Sequence, residues 1–85
     1  MDPWKLVIDE EAFKCFVASP ARERQRLLSI FEELRKNPIR HPDYSSKDTA
    51  GRDLSVAALR PYLITYWLDA FVSEIRIINI QRVRF

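Results

Sequence analysis

The chain has 85 residues, of which 47% are hydrophobic and one is glycine, and its formal net charge is +2. This composition predicts one globular domain over residues 1–85 with a small core and rules out a disordered segment; so small a net charge does not mark a nucleic-acid binder. A lone cysteine, Cys15, excludes an internal disulfide, and a lone histidine, His41, leaves a zinc site short of ligands, so no metal or cofactor is expected. No apolar run approaches transmembrane length and no signal pattern opens the chain, which predicts a cytoplasmic protein without a membrane partner.

Trp4 to Ile8 is short and β-prone. The acidic run Asp9-Glu10-Glu11 then suits the positive end of a helix dipole, predicting a helix from Glu10 to Val17 with Phe13, Phe16 and Val17 as its apolar members and Cys15 as a small buried hydrophobe. Ser19-Pro20 predicts the start of a second helix, with Ser19 capping it and Pro20 in its first turn. Leu27, Ile30, Phe31 and Leu34 recur at helical spacing, with Leu28 widening the stripe, and Asn37-Pro38 ends the helix.

Pro38 to Gly51 reads as a long polar loop whose length suggests a function, with Tyr44 pinning it to the core and Gly51 supplying a positive φ or a tight turn. Three strands follow. Arg52–Leu59 places Leu54, Val56 and Ala58 on one face, and Arg60-Pro61 is a turn. Tyr62–Asp69 is apolar on both faces, as in a central strand, with Trp67 expected to pack against the helices. A turn over residues 70–73 leads to the last strand, from Glu74 to about Gln81. Short connections make these three an antiparallel meander. The expected fold is α+β: a short N-terminal strand, a helix hairpin, then a three-stranded antiparallel meander packed on the helices. Helices cover one sheet face; a partner segment, a second copy in a homodimer, or a ligand would cover the other.

Charge is divided unevenly. Residues 1–50 hold nine Lys/Arg and nine Asp/Glu, whereas residues 51–85 hold five Arg and three acids. Arg52, Arg60, Arg76, Arg82 and Arg84, with Tyr62 and Tyr66, are therefore the candidate binding residues, since guanidinium forks suit phosphate or carboxylate and Arg and Tyr are enriched in binding hot spots. A polyanion and an acidic protein are both compatible with such a surface. Glu74 and Arg76 fall on the same strand face and are expected to pair.

The order of these elements, Leu34-Arg-Lys-Asn-Pro38 closing the long helix, Pro61-Tyr-Leu-Ile-Thr-Tyr66 and Glu74-Ile-Arg-Ile-Ile78 resemble the RelE/ParE toxin superfamily over nearly the whole chain. The resemblance implies a RelE/ParE-like α+β fold and the toxin of a bacterial type II toxin–antitoxin system, linked to plasmid stabilization and growth inhibition and neutralised by a cognate antitoxin. RelE-like members cut mRNA on the ribosome; ParE-like members inhibit DNA gyrase without a nuclease site. An inactive relative serving only as a protein-binding module is the third alternative. For a metal-independent mRNA interferase the resemblance leaves Arg76, Arg82 and Tyr66 as catalytic candidates and an incomplete basic set. Leu63 stands where RelE-like nucleases carry an arginine, and the preceding strand has no lysine.

Overall fold

A computed structural model describes residues 4–37 and 43–83. The chain runs β1 (Lys5–Ile8), α1 (Glu10–Ala18), α2 (Ala21–Lys36), β2 (Tyr44–Lys47), β3 (Asp53–Leu59), β4 (Tyr62–Asp69) and β5 (Glu74–Arg82). The strands form one five-stranded sheet in the order β1-β5-β4-β3-β2, with β1 parallel to β5 and the other pairs antiparallel. The expected α+β fold and the β3-β4-β5 meander are present. The N-terminal strand and a further strand widen the sheet on either side.

That further strand, β2, lies inside the stretch expected to be a loop. Tyr44-Ser-Ser-Lys47 pairs with Asp53–Val56 and all four residues are exposed. A polar edge strand has no apolar alternation, so only its partner reveals it. Tyr44 does not pin this segment to the core; it is 60% exposed. Residues 38–42, His41 among them, lie outside the described residues.

Both helices start where charge and backbone chemistry favour it, but one cap differs from expectation. Asp9 sits at the N-cap of α1 in extended conformation, with Glu10 and Glu11 in the first turn against the helix dipole. Ser19 does not cap α2. Its hydroxyl donates to the Cys15 carbonyl (2.9 Å) and its N–H to that of Phe16 (3.2 Å), so it closes α1. With only Ser19 and Pro20 between the helices, the hydroxyl reaches the carbonyl four residues back more readily than the amides ahead. Pro20 takes the N-cap position of α2.

The core lies between the helices and one face of the sheet. α2 contributes Leu27, Ile30, Phe31 and Leu34, α1 contributes Ala12, and the sheet contributes Ala57, Tyr62, Ile64, Tyr66, Ile75, Ile77 and Ile80. Phe16 packs on Phe31 with ring centroids 6.2 Å apart. Cys15 is half-buried against this cluster. Phe13, Val17 and Leu28, expected in the apolar stripe, each remain about half exposed. Ala12 occupies the centre of the inward face of α1, which turns Phe13 and Val17 to its flank.

A bulge sets which face the end of β5 presents. Thr65 opposes Asn79, whereas Tyr66 opposes Ile77, so Ile78 is the extra residue. The alternation of β5 shifts phase there: Ile75 and Ile77 point inward before the bulge and Ile80 after it. Trp67 opposes Arg76, on the face away from the helices, and is not part of the helix-side core. Parity decides this: Tyr66 and Leu68 take the inward positions, so the indole between them must point out.

Candidate functional site

The face of the sheet away from the helices carries Leu63, Thr65 and Trp67 from β4 and Leu54, Val56 and Ala58 from β3, all partly buried. Two arginines frame the indole. The Arg52 guanidinium carbon lies 4.5 Å from the Trp67 ring centroid and that of Arg76 lies 5.8 Å away, both within cation–π range. The Trp67 Nε1 is enclosed and has no hydrogen-bond partner among the described residues.

Arg52 is held over the ring by a turn built on Asp48. One carboxylate oxygen accepts from the N–H groups of Ala50 (2.9 Å) and Arg52 (2.8 Å), and the other from Arg52 Nε (2.8 Å). The Gly51 N–H donates to the Asp48 carbonyl, and Gly51 has φ of 81°, the left-handed region favouring glycine. The Arg52 backbone N–H, and then its guanidinium, hold the Asp48 carboxyl below its ordinary value of 3.8; desolvation opposes them weakly. A carboxylate with a depressed folded pKa stabilises the native turn above its unfolded pKa and loses that effect as pH falls through the folded value. We therefore expect Arg52 to be released from Trp67 only on acidification below the ordinary carboxylate range, as pH falls through the depressed folded value of Asp48. In a Trp4→Phe background, the shift in indole emission on acidification should match that of Asp48→Ala at neutral pH. Emission unchanged in Asp48→Ala would show that Asp48 does not hold the stack.

Arg76 is caged too. Its guanidinium lies 3.4 Å from Glu74 and 3.9 Å from Asp9, so the expected Glu74–Arg76 pair forms. Arg52 was legible as a candidate from the charge distribution and Gly51 as its turn, whereas Asp48 carried no signal and Trp67 was expected against the helices.

The other candidates lie elsewhere. Arg82 stands beside Tyr62 in the sheet and forms an ion pair with Glu23 of α2 at 2.8 Å. Arg60 occupies the β3–β4 turn, and its carbonyl accepts from Arg26 Nη2 at 2.7 Å. Arg84 is outside the described residues. Tyr62 and Tyr66 are 2% and 1% exposed and belong to the core, so neither presents a phenol to a ligand. The arginines thus do not share one open surface: Arg52 and Arg76 meet at Trp67, while Arg82 and Arg60 lie on the helix side and in a turn.

Tyr62 carries a local conflict. Its hydroxyl is enclosed and lacks a hydrogen bond of acceptable geometry among the described residues, although Glu23 is near enough to act on it. Burial foremost, and then the Glu23 charge, push the phenol above its ordinary value of 10. An unsatisfied buried hydroxyl costs roughly 1–3 kcal/mol. Tyr62→Phe should therefore raise stability by about 1 kcal/mol in urea denaturation. A raised folded pKa gives stability that is complete below pH 10 and declines above it, so the variant should also lose less stability on going to strongly alkaline pH. A destabilised variant would mean that the hydroxyl has a partner.

Among the described residues, no group of three or more His, Cys, Asp or Glu is placed to hold a metal, and no helix is long and apolar enough to cross a membrane. The Trp67 site can stack a planar group and offer two guanidinium forks whose charge is already partly balanced. Among the described residues it presents no imidazole; the exposed phenol on this face is that of Tyr44, which opposes Val56 at the sheet edge.

No protein-family model matches the chain, and no curated protein is similar to it in sequence. Solved structures are similar. The archaeal RelE–RelB complex from Pyrococcus horikoshii OT3 contains a chain 20% identical, aligned over 93% of both chains with a TM-score of 0.72. The intact E. coli RelBE toxin–antitoxin complex contains one 18% identical, covering 96% of this chain and 99% of that one, with a TM-score of 0.62. From β1 through β5, the chain has the fold of these RelE–RelB structures.

Proposed function

We propose that this chain is the toxin of a type II toxin–antitoxin pair, a cytoplasmic growth inhibitor held inactive by a cognate antitoxin, and that it acts on its target by binding. The observation that carries this reading is the end-to-end likeness to a chain solved as part of a RelE–RelB complex, over 93% of both. Binding is favoured over RNA cleavage because Tyr62 and Tyr66 are in the core and Arg52, Arg76 and Arg82 each face a carboxylate. Our reading is therefore a binding mode of the ParE-like kind, with DNA gyrase as the protein target to test first. A second reading, ribosome-dependent mRNA cleavage, is favoured by one observation: a tryptophan flanked by guanidinium groups suits a nucleobase.

The test is inducible expression in a bacterial host, with and without any short open reading frame found beside the gene. Growth arrest relieved by that neighbour is expected. Filamentation and DNA-damage signalling with intact transcripts would support the gyrase reading, and translation-dependent transcript cleavage the second. Unimpaired growth at high expression of folded protein would overturn the toxin reading.

A further inference from the structure

Three of the arginines that the sequence brought forward are balanced in the fold, and two arginines without an ion pair among the described residues lie in the half that is neutral by count. Arg52 faces Asp48, Arg76 faces Glu74 and Asp9, and Arg82 faces Glu23. On α2, by contrast, Arg22 forms no ion pair among the described residues, and Arg26 spends its Nη2 on the Arg60 carbonyl. Glu23, the nearest acid in sequence, is already engaged by Arg82. Counting charges along the chain hid this, because pairing is set by which strand end meets which helix turn.

These two arginines stand over a groove of about 760 Å³ between α2 and the end of β3. Its apolar lining is Ile30, Ala58 and Leu59, and Gln25 and Ser29 supply neutral hydrogen-bonding groups. Arg60 stands at its rim. Glu33 is the single acid in the lining, against Arg22 and Arg26 on the same helix. β2 pairs with Asp53–Val56 only; beyond it the Ala58 N–H at the groove margin donates to the Asp43 carboxylate (2.8 Å).

We propose that this groove is a docking site for an acidic, amphipathic peptide segment of a partner protein, with carboxylates on Arg22 and Arg26 and an apolar side chain on Ile30 and Leu59. Charge complementarity selects the occupant. Arg22 and Arg26 are four residues apart on one helix face, about 6 Å, which matches alternate side chains of an extended strand. Nucleic acid fits less well, because the floor is aliphatic with no aromatic ring for stacking. The site is separate from Trp67 and is testable whether or not the chain is a toxin.

The probe is a fluorescein-labelled peptide in which glutamate alternates with leucine, titrated into the full chain and followed by anisotropy and by amide shifts in ¹⁵N-labelled protein. The companion probes are the same peptide with lysine for glutamate, and an oligouridylate. We expect saturable binding of the glutamate peptide only, with shifts at Ile30, Leu59 and Arg60. Arg22→Glu should weaken it about tenfold, while Lys36→Glu, an equal charge change farther along the same helix, should alter it less than about twofold. Arg22 is exposed and forms no ion pair among the described residues, so that variant remains interpretable; unchanged thermal melting confirms it. Equal binding of the lysine peptide, equal effects of the two variants, shifts gathered at Trp67, or tighter binding of the oligouridylate in the groove would each overturn the proposal.

Discussion

Phe31→Ala should remove a large share of this domain's stability and lower its melting temperature by more than about ten degrees. Phe31 is 1% exposed, lies at the middle of the α2 core stripe and packs on Phe16 of α1, so it joins both helices to the sheet-side cluster. Truncating a buried Phe to Ala costs about 3–5 kcal/mol, because a cavity remains where the ring was. For a domain of this length total stability is about 4–13 kcal/mol, so the loss removes a large share of it. Phe31→Leu keeps most of the volume and should cost about 1 kcal/mol. Urea denaturation followed by circular dichroism measures both. A partner that binds only the folded state would mask part of the deficit, so the comparison must be made on the isolated chain. If Phe31→Ala melts within a few degrees of the parent, the core is not organised around that ring.

What was legible in the sequence was whatever a period could carry. The inward stripe of α2 at Leu27, Ile30, Phe31 and Leu34, the bounds of β4, and the positive φ of Gly51 all follow from spacing or from a residue type with one conformational role. Strand β2 was not legible, because a four-residue polar edge strand is defined by hydrogen bonds to β3 and by no pattern of its own. The faces of β4 were legible as two apolar sets, but which set met the helices was not. The packing of Tyr62, Ile64 and Tyr66 into the helix-side cluster decides it, and that leaves no mark in composition. The same holds for charge. Five arginines in the C-terminal half suggested one basic surface, whereas the fold divides the four described ones between a tryptophan clamp, a turn and a helix-side ion pair.

Trp67→Ala should abolish growth inhibition at expression levels where the parent arrests growth, provided the toxin reading holds. The ring is the common surface on which Arg52 and Arg76 lie, so its removal loses a large desolvated contact and frees both guanidiniums at once. Hot-spot tryptophans cost roughly 2–4 kcal/mol when truncated, which is a loss of about 30-fold or more in affinity for the target. Trp67 lies outside the helix-side core, so the folded state should survive, as circular dichroism can confirm. Arg52→Ala and Asp48→Ala should each give a smaller, similar loss, and the double variant little more than either. The reason is that Asp48 acts on the indole only through Arg52, and residues serving one contact are not additive. Arg76→Ala differs in kind: it exposes Glu74 and Asp9 without their cation, replacing a balanced cluster by two acids beside the ring. A polyanionic target would then be repelled and lost, whereas a basic protein surface would be held as well or better, so the sign of this one variant separates the two classes of target. Undiminished arrest by a folded Trp67→Ala protein would remove the Trp67 face from the mechanism and leave the groove beside α2 as the surface to examine.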